Sequence, residues 1–155
     1  MYQIDTPSNL EHATLITIWE SSIRATHHFV TEEDLQQLKQ LIREKYLNLV
    51  DLFCLRDDSK SILGFIGVSG ENLEMLFIDP DLRGRGIGKT LLFYAVGQLK
   101  IRKVDVNEQN TTALAFYVHF GFEIISRSEL DGNGKPYPIL HMQLIQHSSS
   151  LCYLH

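Results

Sequence analysis

The period of the hydrophobic positions changes repeatedly along the chain, and each change predicts an element. Residues 2–4 read as a short opening strand. Pro7 with Ser8 or Asn9 then starts a helix, in which Leu10, Ala13, Leu15, Ile18, Trp19 and Ile23 give a broad apolar face to about residue 24. Residues 25–30, read ATHHFV, interrupt it. Thr31 caps the next helix, Glu32, Glu33 and Asp34 suit its positive end, and Leu35, Leu38, Leu41, Ile42 and Tyr46 carry its stripe.

Beyond residue 50 the period shortens. Residues 51–55 and 62–68 are apolar runs on either side of the turn Asp57-Asp58-Ser59-Lys60, and they predict a hairpin. Gly64 and Gly67 inside the second run predict a close approach or a bulge. Residues 69–72 turn into a third run, 73–78, which reads as a buried strand stopped by Asp79 and Pro80. A helix over about 86–99, a strand over 103–106 and a helix over 111–120 follow, the last ended by Gly121 at the position where a left-handed residue is wanted. Strands over 122–126 and 139–145, joined by the polar Gly- and Pro-containing loop 129–138, complete the pattern. The order predicts an α/β (α+β) fold with a largely antiparallel central sheet and helices on both faces. With no repeat and no linker, we expect one domain over 1–145 and a flexible tail over 146–155.

Composition narrows the function. The chain has 155 residues, 44% hydrophobic and 21% charged, which suits one globular domain with a proper core. A net charge of −5 argues against a general nucleic-acid surface. Residues 1–9 are neither basic nor followed by an apolar block, so no secretory signal is expected there, and no apolar run is long enough to span a membrane. Of the two cysteines, Cys54 lies in an apolar run and Cys152 in the tail; without a disulfide framework, a reducing cytoplasm is the expected setting.

The chemistry concentrates in Arg83-Gly84-Arg85-Gly86-Ile87-Gly88-Lys89, which lies between a strand and a helix. The first-turn N–H groups of a helix have no internal partner, its dipole favours negative charge, and glycines let backbone approach phosphate oxygens. A phosphate or pyrophosphate ligand is therefore expected. The Walker A loop ends with Gly-Lys-Thr, as do residues 88–90, but its first glycine would fall at Arg83. The dinucleotide fingerprint accommodates Gly84 and Gly86, but its third glycine would fall at Lys89. The pattern [Q/R]-x-x-G-x-[G/A] is met fully by Arg83, Gly86 and Gly88.

That pattern resembles the coenzyme A pyrophosphate loop of the GNAT superfamily of N-acetyltransferases, and the predicted element order is similar to that family over residues 2–145. A second stretch strengthens it: Asn110 through Phe122 looks like the family's N-x-x-A-x-x-F-Y-x-x-x-G-F segment. The resemblance implies acetyl-CoA as co-substrate, direct transfer to an amine and no metal. It implies that the backbone of Leu76, Phe77 and Ile78 pairs with the pantetheine arm and supplies an oxyanion donor. It implies that the pyrophosphate sits on Arg83, Gly84, Arg85, Gly86, Ile87, Gly88 and Lys89, that Asn110 contacts the coenzyme arm, and that the Tyr117 hydroxyl lies near the thioester sulfur. A phenol there can protonate the leaving thiolate; the competing reading is a core aromatic.

An attacking amine must lose a proton. Candidates for the base are Glu74, on a strand face that predicts a buried carboxylate, and His28 or His27 in the ATHHFV connection; Glu108 is expected to contact backbone near its helix start instead. Tyr137, between Pro136 and Pro138, belongs to a loop that can overhang the acceptor. His27 and His28 are adjacent and cannot share one metal in a regular element, so no metal site is expected. Cys54 is in the wrong segment for a nucleophile and no Ser/His/Asp spacing stands out, which disfavours a covalent route. The expected partner is a small-molecule or peptide amine, on a monomer or homodimer, with neither nucleic acid nor membrane. A non-catalytic acyl-CoA sensor of the same fold and a nucleotide hydrolase are the other readings, and Tyr117 and the missing glycine at position 83 weigh against them respectively.

Overall fold

In the computed structural model, which describes residues 1–145, the elements follow the predicted order, with seven strands and four α-helices. The tail expected to be flexible from residue 146, with Cys152, lies outside the described residues. The chain forms two compact units, Met1–Ile101 and a second from Arg102 onward.

The first unit contains β1 (Gln3–Asp5), α1 (His12–Thr26), α2 (Glu32–Glu44), β2 (Asp51–Arg56), β3 (Ile62–Ser69), β4 (Asn72–Ile78) and α3 (Ile87–Gln98). Its strands lie in the order β1-β2-β3-β4, each antiparallel to the next. One sheet face carries Leu52, Cys54, Phe65 and Met75 into a core with Leu15, Ile18, Trp19 and Ile23 of α1 and Leu35 and Ile42 of α2. The other face receives α3. Phe53, between Leu52 and Cys54 and so on the opposite face, meets Tyr94 of α3 with ring centroids 5.5 Å apart. Gly64 shows why β3 needs glycine there. A Cβ at that position would lie 3.0 Å from the Phe77 carbonyl oxygen and 3.2 Å from Ile87 Cγ2. The expected bulge is also present. Pairing steps from Gly67–Met75 to Val68–Leu73, so β4 carries one extra residue there, Glu74.

Polar residues pin the edge of this unit. Arg56, with a side chain 11% exposed, donates to Asp5 at 2.8 Å and to both Glu11 oxygens at 2.6 and 2.9 Å. The Arg56 guanidinium, then the Ser8 N–H, hold the Glu11 carboxyl down to about 2. Burial, and then a hydrogen bond to Asp5, push the Cys54 thiol up to about 12, so it is not a thiolate at neutral pH.

The second unit contains β5 (Lys103–Asn107), α4 (Thr111–His119), β6 (Phe122–Ser128) and β7 (Ile139–Leu144), with strands in the antiparallel order β5-β7-β6. Val104, Val106, Phe122, Leu140, Met142 and Leu144 are buried. The intervening side chains Lys103, Asp105, His141 and Gln143 stand on the opposite, polar face. Gly121 has φ +95°, the left-handed conformation expected after a helix. No helix among the described residues is long and apolar enough to cross a membrane.

Candidate active site

β4 ends as predicted. The Asp79 N–H returns to the Leu63 carbonyl at 3.0 Å, Asp79 Oδ1 accepts from the Asp81 N–H, and Pro80 opens one tight helical turn. The chain then passes through Gly84 at φ +81° and Gly86 at φ +76° before α3 begins. Gly86 is the residue before the first helical position, and both the Thr90 N–H and the Thr90 hydroxyl donate to its carbonyl, at 3.0 and 2.7 Å. A Cβ built on Gly84 or Gly86 meets nothing within 4 Å, so the space beside this backbone is open. Arg83, Arg85 and Lys89 are exposed around it, while Ile87 and Gly88 are buried. The Tyr2 hydroxyl donates to the Arg85 carbonyl at 3.4 Å and ties β1 to the loop. The Lys89 ammonium lies 5.5 Å from the centre of the Phe93 ring. Backbone N–H groups of a helix start, three cations and open space make an anion site. On β4, Leu76, Phe77 and Ile78 are half-buried and pair with Ile66, Phe65 and Gly64 of β3.

In the second unit Asn110 caps α4, accepting from the Ala113 N–H at 3.1 Å. Tyr117 is 6% exposed, with its ring edge-on to Phe116 at 5.2 Å and Phe122 at 5.6 Å. Burial pushes its phenol well above the usual tyrosine value, so it keeps its proton throughout the physiological range. No buried side-chain oxygen or nitrogen among the described residues lacks a hydrogen-bond partner. Tyr117 is thus a packed core aromatic that also carries a phenol proton.

The candidate bases separate. Glu74 is exposed, alternating with the buried Leu73 and Met75 along β4; this corrects the expectation of a buried carboxylate. His28 is exposed in the turn between α1 and α2. His27 is half-buried, and burial, then repulsion from His28, holds its imidazole down to about 4. Its Nδ1 lies 2.7 Å from the Thr26 hydroxyl. That hydroxyl already donates to the Ser22 carbonyl, so Nδ1 carries the hydrogen. A group that holds a proton only below about pH 4 is a poor base for an alkylammonium. The Glu108 carboxylate accepts from Arg127 at 2.7 and 3.0 Å rather than from backbone at its helix start, which corrects that expectation. The paired guanidinium lowers its pKa. Tyr137 is half-buried, with its N–H donating to the Lys135 carbonyl at 2.8 Å. No group of three or more His, Cys, Asp or Glu among the described residues could hold a metal ion.

Comparison with known proteins shows the family. Residues 15–145 match the family model described as acetyltransferase (GNAT) domain. The peptidyl-lysine N-acetyltransferase YjaB of Salmonella typhimurium is 41% identical over 132 residues, covering 85% of this chain and 90% of that protein. The Escherichia coli YjaB is 38% identical over 135 residues, 87% of this chain and 91% of its own. The solution structure of apo-form E. coli YjaB superposes with a TM-score of 0.87 at 36% identity, over 94% of this chain and 98% of that one. The fold is also that of the PaiA N-acetyltransferase from Thermoplasma acidophilum, solved in complex with coenzyme A, with a TM-score of 0.73 at 23% identity over 94% and 99% of the two chains. The chain belongs to the GNAT acetyltransferase family. It is an N-acetyltransferase, and acetyl-CoA is its acetyl donor.

Proposed function

We propose that the acceptor is the ε-amine of a lysine in a protein or peptide. The observation that carries this is the 41% and 38% identity, over most of both chains, to relatives named peptidyl-lysine N-acetyltransferases. The pyrophosphate of the donor sits on the backbone from Arg83 to Lys89, where two glycines at positive φ leave open space. Leu76 to Ile78 pair with the pantetheine arm, and Asn110 contacts it. The neutral amine attacks the thioester carbon, the carbon–sulfur bond breaks, and the Tyr117 hydroxyl gives its proton to the leaving thiolate. Burial keeps the phenol protonated until a thiolate forms beside it but also makes it a weaker acid, so the transfer rests on its position at the sulfur. Glu74 or His28 takes the amine's proton, directly or through water; both are exposed. We place the activity in the cytoplasm, a setting that the free, buried Cys54 suits.

The test is acetyl transfer from acetyl-CoA to lysine-containing peptides beside spermidine and free amino acids, with the modified atom located by mass spectrometry. Acetylation of the lysine side chain is expected. Turnover of the small amines with no acetylation of any peptide would overturn the assignment of the acceptor.

A further inference from the structure

The polar face of the β5-β7-β6 sheet holds a hydrogen-bonded chain that the sequence spacing does not reveal. His141 Nδ1 lies 2.7 Å from Asp105 Oδ1, and His141 Nε2 lies 2.7 Å from the Ser128 hydroxyl. Three strands bring these residues together. Asp105 of β5 pairs directly with His141 of β7, and Ser128 of β6 pairs with Ile139, two residues before it. Alternation along β7 then places Ile139 and His141, and with them Ser128 and Asp105, on one face. The directions of the hydrogen bonds follow from chemistry. An ionised carboxylate only accepts, so Nδ1 carries the hydrogen when the ring is neutral. Nε2 then offers its lone pair, and the serine O–H donates to it. This is the arrangement in which an imidazole, held in one tautomer by a carboxylate, withdraws the proton of a serine nucleophile.

We propose that Ser128, His141 and Asp105 form a second reactive site, in which Ser128 accepts small acyl groups from activated esters. Ser128 Oγ attacks the ester carbon as its proton passes to His141 Nε2. The carbon–oxygen bond to the leaving group breaks, and that group takes the proton from His141, or departs as its phenoxide while His141 loses the proton to solvent. The acyl-serine is hydrolysed by water, with His141 taking a proton from the water and returning one to Ser128. Ser128 and His141 are half-buried, whereas the Asp105 side chain is 64% exposed. Solvent therefore screens the carboxylate, and Asp105 contributes less than His141. The site lies on an open sheet face rather than in a deep cleft, so small acyl groups fit it. Acylation is expected to outrun deacylation, and the acyl-enzyme to accumulate.

The test uses the full chain with p-nitrophenyl acetate and no coenzyme. One acetyl group per chain should appear, located at Ser128 by peptide mapping, with a matching burst of p-nitrophenolate. Ser128→Ala should abolish that modification. His141→Gln should slow it by about a hundredfold or more, as loss of a general base does. Asp105→Asn should slow it by a smaller factor. Melting curves of each variant report folding, so that loss of labelling in a folded chain is attributable to the site. Acetyl groups confined to lysines, or labelling of Ser128 at an unchanged rate in the folded His141→Gln chain, would overturn the proposal.

Discussion

Replacing Gly86 by valine separates the backbone role of the loop from its ligand role. Gly86 has φ +76° and ψ 14°, and an added Cβ meets no atom of the protein within 4 Å. The cost to the free protein is therefore conformational, about 1–2 kcal/mol for an L-residue held in the left-handed region, with valine at the upper end. For a chain of this size that lowers Tm by about 2–8 °C. The effect on the donor is different in kind, because the open space that receives the side chain is the space a phosphate oxygen needs. Saturation at about 100 times Kd stabilises the parent by about 2.7 kcal/mol, or about 5–10 °C. Gly86→Val should lose that shift entirely. Gly70→Val is the matched control. Gly70 also has positive φ, +58°, and also meets nothing within 4 Å, but it lies in the β3–β4 turn. It should show a similar fall in Tm and keep the full response to acetyl-CoA. The assay is thermal unfolding of the three chains with and without acetyl-CoA. Equal ligand shifts in Gly86→Val and Gly70→Val would refute the placement of the pyrophosphate.

Three further outcomes follow from the same geometry. Tyr117→Phe keeps the packing against Phe116 and Phe122 and removes the proton; turnover should fall by about 10²–10⁴ with little change in coenzyme affinity, and full activity would remove Tyr117 from the mechanism. His27 holds a proton less readily in the folded chain, at about 4, than its ordinary 6.5, so the unfolded chain binds more protons between those values. Tm should therefore fall as pH is lowered from about 6.5 toward 4, and His27→Gln should flatten that part of the curve, measured above 4.5 so that Glu11, held near 2, does not contribute. Gly64→Ala forces a methyl against the Phe77 carbonyl at 3.0 Å and Leu91 Cδ1 at 3.3 Å, and should cost about 1–3 kcal/mol by chemical denaturation.

How much of this was legible in the sequence depended on how local the determinant was. The glycine loop, the Asn110 cap and the end of α4 at Gly121 are fixed within a few residues of themselves, and the structure places them as the pattern implies. Gly64 and Gly67 announced a close approach and a bulge, and both are present. Whether the strand face that carries Glu74 is covered depends on what packs over it, which alternation with Leu76 and Ile78 does not show, and Glu74 is exposed. Arg127 lies 19 residues from Glu108, and Arg56 lies 45 from Glu11; no periodicity links such pairs. Asp105, Ser128 and His141 meet through two strand pairings and a ten-residue loop, and no spacing rule connects them. The burial that sets Tyr117 and His27 is likewise a property of packing, though the aromatic neighbours of Tyr117 were visible beside it in the sequence.

The most direct measurement is release of coenzyme A thiol from acetyl-CoA with a lysine-containing peptide present and absent, alongside a count of acetyl-lysine formed. The account predicts thiol release that depends on the peptide, one acetylated lysine side chain per thiol released. Thiol release that is the same with and without the peptide, or that leaves every lysine unmodified, would contradict it.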